Sequence, residues 1–238
     1  MNRQAQAVVL LLVGGAVLRA SLTDMYLRYV KQGLRPFLIA AGLLLVIAAI
    51  MTLWYEFRGG RASDDHGHDD HGHSHEPWVA WLLILPVFAL LLVSPPALGS
   101  YAASRSGTAL QQVSDFPPLP AGDPAKISVL DYASRAVFDE GRSIGDRKVQ
   151  LRGFVVKGAD GRAYLARMIL TCCAADARPV KVGLTGQAPT DLKPDTWLDV
   201  TGRYIHKSVK DDINGETIPY LDVVDFQRVA APNEQYES

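Results

Sequence analysis

Residues 64–76 read DDHGHDDHGHSHE, and the apolar runs on either side of this polar tract decide the fold. The tract holds five of the six histidines, His66, His68, His71, His73 and His75, among the carboxylates Asp64, Asp65, Asp69, Asp70 and Glu76. The unit Asp-Asp-His-Gly-His occurs twice in tandem. Neutral imidazole and carboxylate suit borderline divalent cations such as zinc, or another divalent transition metal. The plainer reading is a solvated hinge, since acidic and Gly/His residues stay out of hydrocarbon. A hinge, however, does not need histidine at every second or third position. The tract lacks cysteine and helical spacing, so a flexible collector of cations is expected rather than one rigid tetrahedral site. Its affinity should fall as pH drops through about 6.5, where free imidazole protonates.

Three membrane spans are expected around it, at about 5–20, 34–55 and 78–98, within a membrane region covering 1–99. The middle run, from Leu34 to Tyr55, carries no charge after Arg35 and ends in Trp54 and Tyr55, which suit an interface. The first run is short, with Arg19 near its end; Gly14, Gly15 and Ala16 would let a neighbouring helix approach closely. Pro86 lies within the third run and Pro95-Pro96 ends it. Arg19, Arg28, Lys31, Arg35 and Arg105 would lie on one side, against Arg3, Arg58 and Arg61 on the other. That bias favours a cytoplasmic first connection, an external His/Asp tract and a cytoplasmic C-terminal domain.

Residues 100–125 read as a Pro-containing linker, and 126–238 as a soluble domain. Asp131 to Gly141 has a helical pattern. Five strand-like runs follow, at Lys148–Val156, Arg162–Leu170, Pro179–Leu184, Trp197–Tyr204 and Ile218–Phe226, separated by Gly-, Asp- and Pro-rich turns. Gly153 and Gly202 sit inside strands, where a small barrel bends sharply. The fold class is therefore membrane α plus soluble β: three transmembrane helices, then a small five-stranded OB-like barrel.

The soluble part holds 16 Lys/Arg and 17 Asp/Glu from Asp123 onward, and the whole chain has a net charge of −1. No basic face is available for a phosphate backbone, so nucleic acid is not an expected partner. Two cysteines, the adjacent Cys172 and Cys173, exclude a disulfide framework. Four readings of the pair stand open: packed core thiols, soft-metal ligands together with Asp176, a nucleophile, or a redox pair. His206, the one histidine outside the tract, could add a nitrogen ligand.

The order of apolar runs, His/Asp tract, Pro-containing linker and C-terminal domain carries a resemblance. So do the strand Gly153-Phe154-Val155 and the stretch from Ala166 to Pro179, with Cys172-Cys173-Ala174-Ala175-Asp176-Ala177 its most specific part. Together these resemble the YcgQ-like family of two-component membrane permease complex subunits. Ala166 departs from the aromatic residue that many members carry there. The resemblance implies a multi-pass protein of the bacterial inner membrane that works with a separate, polytopic permease subunit.

Three spans are too few for an alternating-access pore, and none has Asp, Glu, Lys or His in its core. The chain is therefore expected to be a non-enzymatic accessory subunit of a divalent-metal permease. The alternative is a membrane-tethered binding or sensor module whose His/Asp tract is incidental.

Overall fold

A computed structural model describes residues 3–59, 96–112, 115–158, 161–189 and 191–237. The chain divides into two compact units, one of residues 1–26 and 32–96, the other of residues 27–31 and 97–238.

The described part of the first unit is two apolar helices, α1 (Arg3–Leu22) and α2 (Arg35–Gly59), packed on each other. The close approach expected of small residues is present at Gly14. A Cβ there would lie 2.9 Å from Val46 Cγ2, and one at Gly42 would lie 2.8 Å from Leu18 Cγ. Arg35 Nε closes the connection by donating to Ser21 O at 3.0 Å.

Among the described residues, one stretch is long and apolar enough to cross a membrane: Gln32–Arg58, 27 residues. The apolar part of α1, Gln6–Leu22, falls short of the roughly 20 apolar residues that a bilayer core requires. The third expected span, 78–98, and the tract at 64–76 lie outside the described residues. On α2 the apolar side chains Leu44, Ile47, Ile50 and Met51 are exposed, as are Trp54 and Tyr55 near its end.

The second unit is a closed five-stranded β-barrel with additions. Its elements in chain order are α3 (Ser100–Arg105), β1 (Ala125–Lys126), α4 (Val129–Phe138), β2 (Val149–Lys157), β3 (Ala163–Ile169), β4 (Arg178–Gly186), β5 (Trp197–Lys210), β6 (Thr217–Arg228) and β7 (Tyr236–Glu237). The ring runs β2–β3–β4–β6–β5 and back to β2, with every junction antiparallel except β4–β6. All five expected strands form: β4, β5 and β6 run longer than expected, β2 is shifted by one residue, and β3 is one residue shorter at each end. β1 and β7 add parallel at β2 and β3.

Alternation along the strands fills the barrel. Leu151, Val155, Leu165, Val180, Val182, Leu198, Val200 and Leu221 are buried in one cluster, closed by Val129, Tyr132, Ala133 and Ala136 of α4. These four sit at i, i+3, i+4 and i+7, one stripe of a helix. The helix begins two residues before the expected start, because Ser128 caps it by accepting from Asp131 N at 2.9 Å. Both in-strand glycines have steric reasons. A Cβ on Gly153 would lie 2.7 Å from Ala166 O, and one on Gly202 would overlap Asp222 O where β5 shifts register against β6.

Residues expected to form a linker instead pack on this barrel. Ala103 of α3 is fully buried beside Phe154, Val156 and Met168. Ala109 N donates to Pro179 O and Thr108 N to Asp211 Oδ2, each at 2.8 Å. Under this strap lies a buried ion pair, Lys181 Nζ to Asp211 Oδ2 at 2.9 Å, with Ser106 O as a second acceptor at 2.9 Å.

Candidate metal centre

Strand β3 ends at Ile169, and the chain turns through Thr171 to Asp176 before β4 begins at Arg178. Cys173 is extended, with φ −150° and ψ 170°, and caps a single 3-10 turn over Ala174–Asp176. Its sulfur accepts from Asp176 N, while the Asp176 side chain accepts from Cys173 N. This reciprocal arrangement is the capping box, with cysteine in the place usual for serine or threonine.

The Asp176 carboxylate is the hub of the turn. Oδ1 accepts from Thr171 N at 3.0 Å; Oδ2 accepts from Cys172 N at 2.8 Å and Cys173 N at 3.3 Å. The Cys172 thiol also donates to Oδ2, at 2.9 Å. The thiol bond, with the backbone donors, holds the Asp176 carboxyl well below its ordinary range, at about 2. The same bond, with the neighbouring Cys173 sulfur, pushes the Cys172 thiol up to about 11.

The turn is also held from outside. Val30 and Cys173 form an antiparallel bridge, in which Lys31 N donates to Cys172 O at 3.1 Å and Ala174 N to Tyr29 O at 2.7 Å. The C-terminal strand supports both sides of this pairing. Tyr236 Oη donates to Arg28 O at 3.0 Å and accepts from Leu98 N at 2.9 Å, while Leu170 N donates to Glu237 O at 3.0 Å.

Among the described residues, Cys172, Cys173 and Asp176 form a group that can hold a metal ion, with one ligand atom of each within 4.8 Å of the others. Both cysteines are free; Cys172 is exposed and Cys173 half-buried. The sequence-expected trio is thus brought together, and deep core packing does not describe Cys172. His206 is not part of the group: it sits on β5, with Nδ1 3.2 Å from Tyr204 Oη. The expected ligands Asp64, Asp65, His66, His68, Asp69, Asp70, His71, His73 and His75 lie outside the described residues. Sequence reasoning missed Val30 and Tyr236, which carry no local signal. It also missed the capping role of Asp176, which the spacing Cys173-x-x-Asp176 does signal.

Family models match in two places, the DUF1980 N-terminal domain over residues 5–109 and the DUF1980 C-terminal domain over residues 137–237. No curated protein and no solved structure matches the chain.

Proposed function

The chain belongs to the DUF1980 family, carrying its N- and C-terminal domains, and we propose that it is a membrane-anchored, metal-binding accessory subunit of a permease complex. One observation carries this reading: the convergence of Cys172, Cys173 and Asp176 on a shared point at the edge of the barrel. Sulfur and carboxylate donors within reach of one ion bind transition metals such as zinc. The anchor is supported by the exposed apolar surface of α2. The ring order, with its single parallel junction, supports the OB-like reading of the barrel, here with the capping helix placed before the first barrel strand.

In this reading the His/Asp tract at 64–76 gathers cation, the Cys172–Asp176 turn holds or reports it, and a polytopic partner in the bacterial inner membrane provides the path. Transporters bring paired repeats of several helices, far more than the two apolar helices among the described residues. The test is twofold. Metal-dependent growth should fail on deletion of residues 64–76 and, separately, in the Cys172→Ser/Cys173→Ser variant. The purified chain alone in liposomes should give no saturable cation flux; flux would overturn the reading. Growth that depends on the barrel but not on the tract would favour the tethered sensor module instead.

A further inference from the structure

The donors of the turn are not equally available to an ion. A carboxylate offers about four lone-pair directions. Those of Asp176 face the backbone N–H groups of Thr171, Cys172 and Cys173 and the thiol of Cys172. If Asp176 swung onto an ion, it would release the amides that shape the turn and so release the sulfurs. The sulfurs themselves are well placed. Cys173 Sγ accepts Asp176 N, and Cys172 is exposed. Their backbone is fixed by the pairing with residues 29–31.

This leaves two adjacent sulfurs on a rigid backbone, with the carboxylate behind them. Zinc in protein sites wants four ligands in a tetrahedron. Sulfur-only sets select soft ions, copper(I) above all. We infer that Cys172 and Cys173 alone ligate a soft monovalent cation of the copper(I) class, while Asp176 organises the turn from outside the coordination sphere. On binding, two S–H bonds break and two sulfur–metal bonds form. Two protons pass to solvent, and the ion keeps its oxidation state. The inference rests on reading these residues as a metal site and narrows the ion that the barrel takes.

The test uses the full chain in detergent micelles, without oxygen. Copper(I), kept reduced by ascorbate, is titrated against bathocuproine disulfonate, and zinc(II) separately against a colorimetric chelator. Comparison with the Cys172→Ser/Cys173→Ser variant removes any contribution of the His/Asp tract, and circular dichroism checks that the variant keeps its strands. One equivalent of copper(I) should disappear in the double variant, zinc uptake should not change, and X-ray absorption should find sulfur neighbours only. Asp176→Asn should keep the copper(I) equivalent; its loss in that variant would place the carboxylate in the coordination sphere and overturn the inference. Loss of zinc uptake in the double variant, or an oxygen neighbour on the ion, would overturn the inference but leave the metal-site reading standing. If neither ion's uptake depends on the cysteines, both fall.

Discussion

Val30 is bridged to Cys173 across more than 140 residues of chain, so the turn that carries the thiols is completed by a segment lying between α1 and α2 in the sequence. The hydrogen bonds flanking the bridge, from Lys31 N to Cys172 O and from Ala174 N to Tyr29 O, contribute about 0.5–1.5 kcal/mol each. Lys31→Pro removes the first donor. It should leave the barrel folded, by circular dichroism, while amide exchange at Ala174 rises. Unchanged exchange there would mean that the bridge does not hold the turn.

The Lys181–Asp211 pair beneath the strap tests whether residues 106–109 are integral to the barrel. Both side chains are more than nine-tenths buried. Burial pushes the Asp211 carboxyl up, but bonds from Lys181, Ile213 N and Thr108 N outweigh it and hold the group below its ordinary value. A carboxyl depressed in the folded state stabilises the fold above its unfolded pKa of about 3.9 and loses that contribution as pH falls through its folded value. Lys181→Met leaves the carboxylate buried without its partner and should cost about 3–5 kcal/mol at neutral pH in a denaturant melt. The gap from wild type should narrow towards acid pH, as burial without Lys181 lets Asp211 take up a proton in the variant.

A second buried network ties the C-terminus to the barrel. The Glu237 carboxylate accepts from Val129 N and Leu130 N at the start of α4, each at 3.0 Å, and lies 3.5 Å from Arg167 Nε. The Arg167 guanidinium sits 5.0 Å from the centre of the Trp197 ring. Burial, the largest influence on Glu237, raises its pKa above the ordinary value. A carboxyl raised in this way favours the fold at low pH and loses that advantage as pH climbs from its unfolded to its folded value. Glu237→Ala should cost about 3–5 kcal/mol, since it strands a buried cation and uncaps a helix. Urea melts would show this as a lower midpoint; a midpoint within error of wild type would refute it.

The barrel was legible in the sequence because period-two alternation and turn residues are local signals. Leu151 and Leu165 alternate with residues facing the other way, and Gly202 marks the bulge it occupies. The strap, the bridge and the C-terminal strand were not legible. β1 and β7 are two residues long, too short for any period, and Val30 finds Cys173 through backbone atoms that carry no residue type. Nothing local in the sequence marks Lys181 and Arg167 as buried charges. Their burial depends on acceptors brought from Ser106, Asp211, Glu234 and Tyr236. Of the metal centre, the meeting of both cysteines with Asp176 could be anticipated from spacing, whereas the engagement of Asp176 by three amides required the turn itself.

That engagement sets the reactivity of Cys172. With its pKa at about 11, the group is almost wholly a thiol at pH 8, although it is exposed. Asp176→Asn removes the charged acceptor, the largest influence on this thiol, so the pKa should fall and the thiolate fraction at pH 8 should rise. The more acidic thiolate is intrinsically less nucleophilic, with a Brønsted slope of about 0.4–0.5, which returns close to half of that gain on a logarithmic scale. The net expectation is faster alkylation of Cys172 by iodoacetamide at pH 8, with both forms compared in a Cys173→Ser background so that one thiol reports. The pH at half-maximal rate should move down together with the rate. A rate that rises with no movement of the pH profile would show that the substitution had merely loosened the turn, and would remove the carboxylate from the account of the thiol.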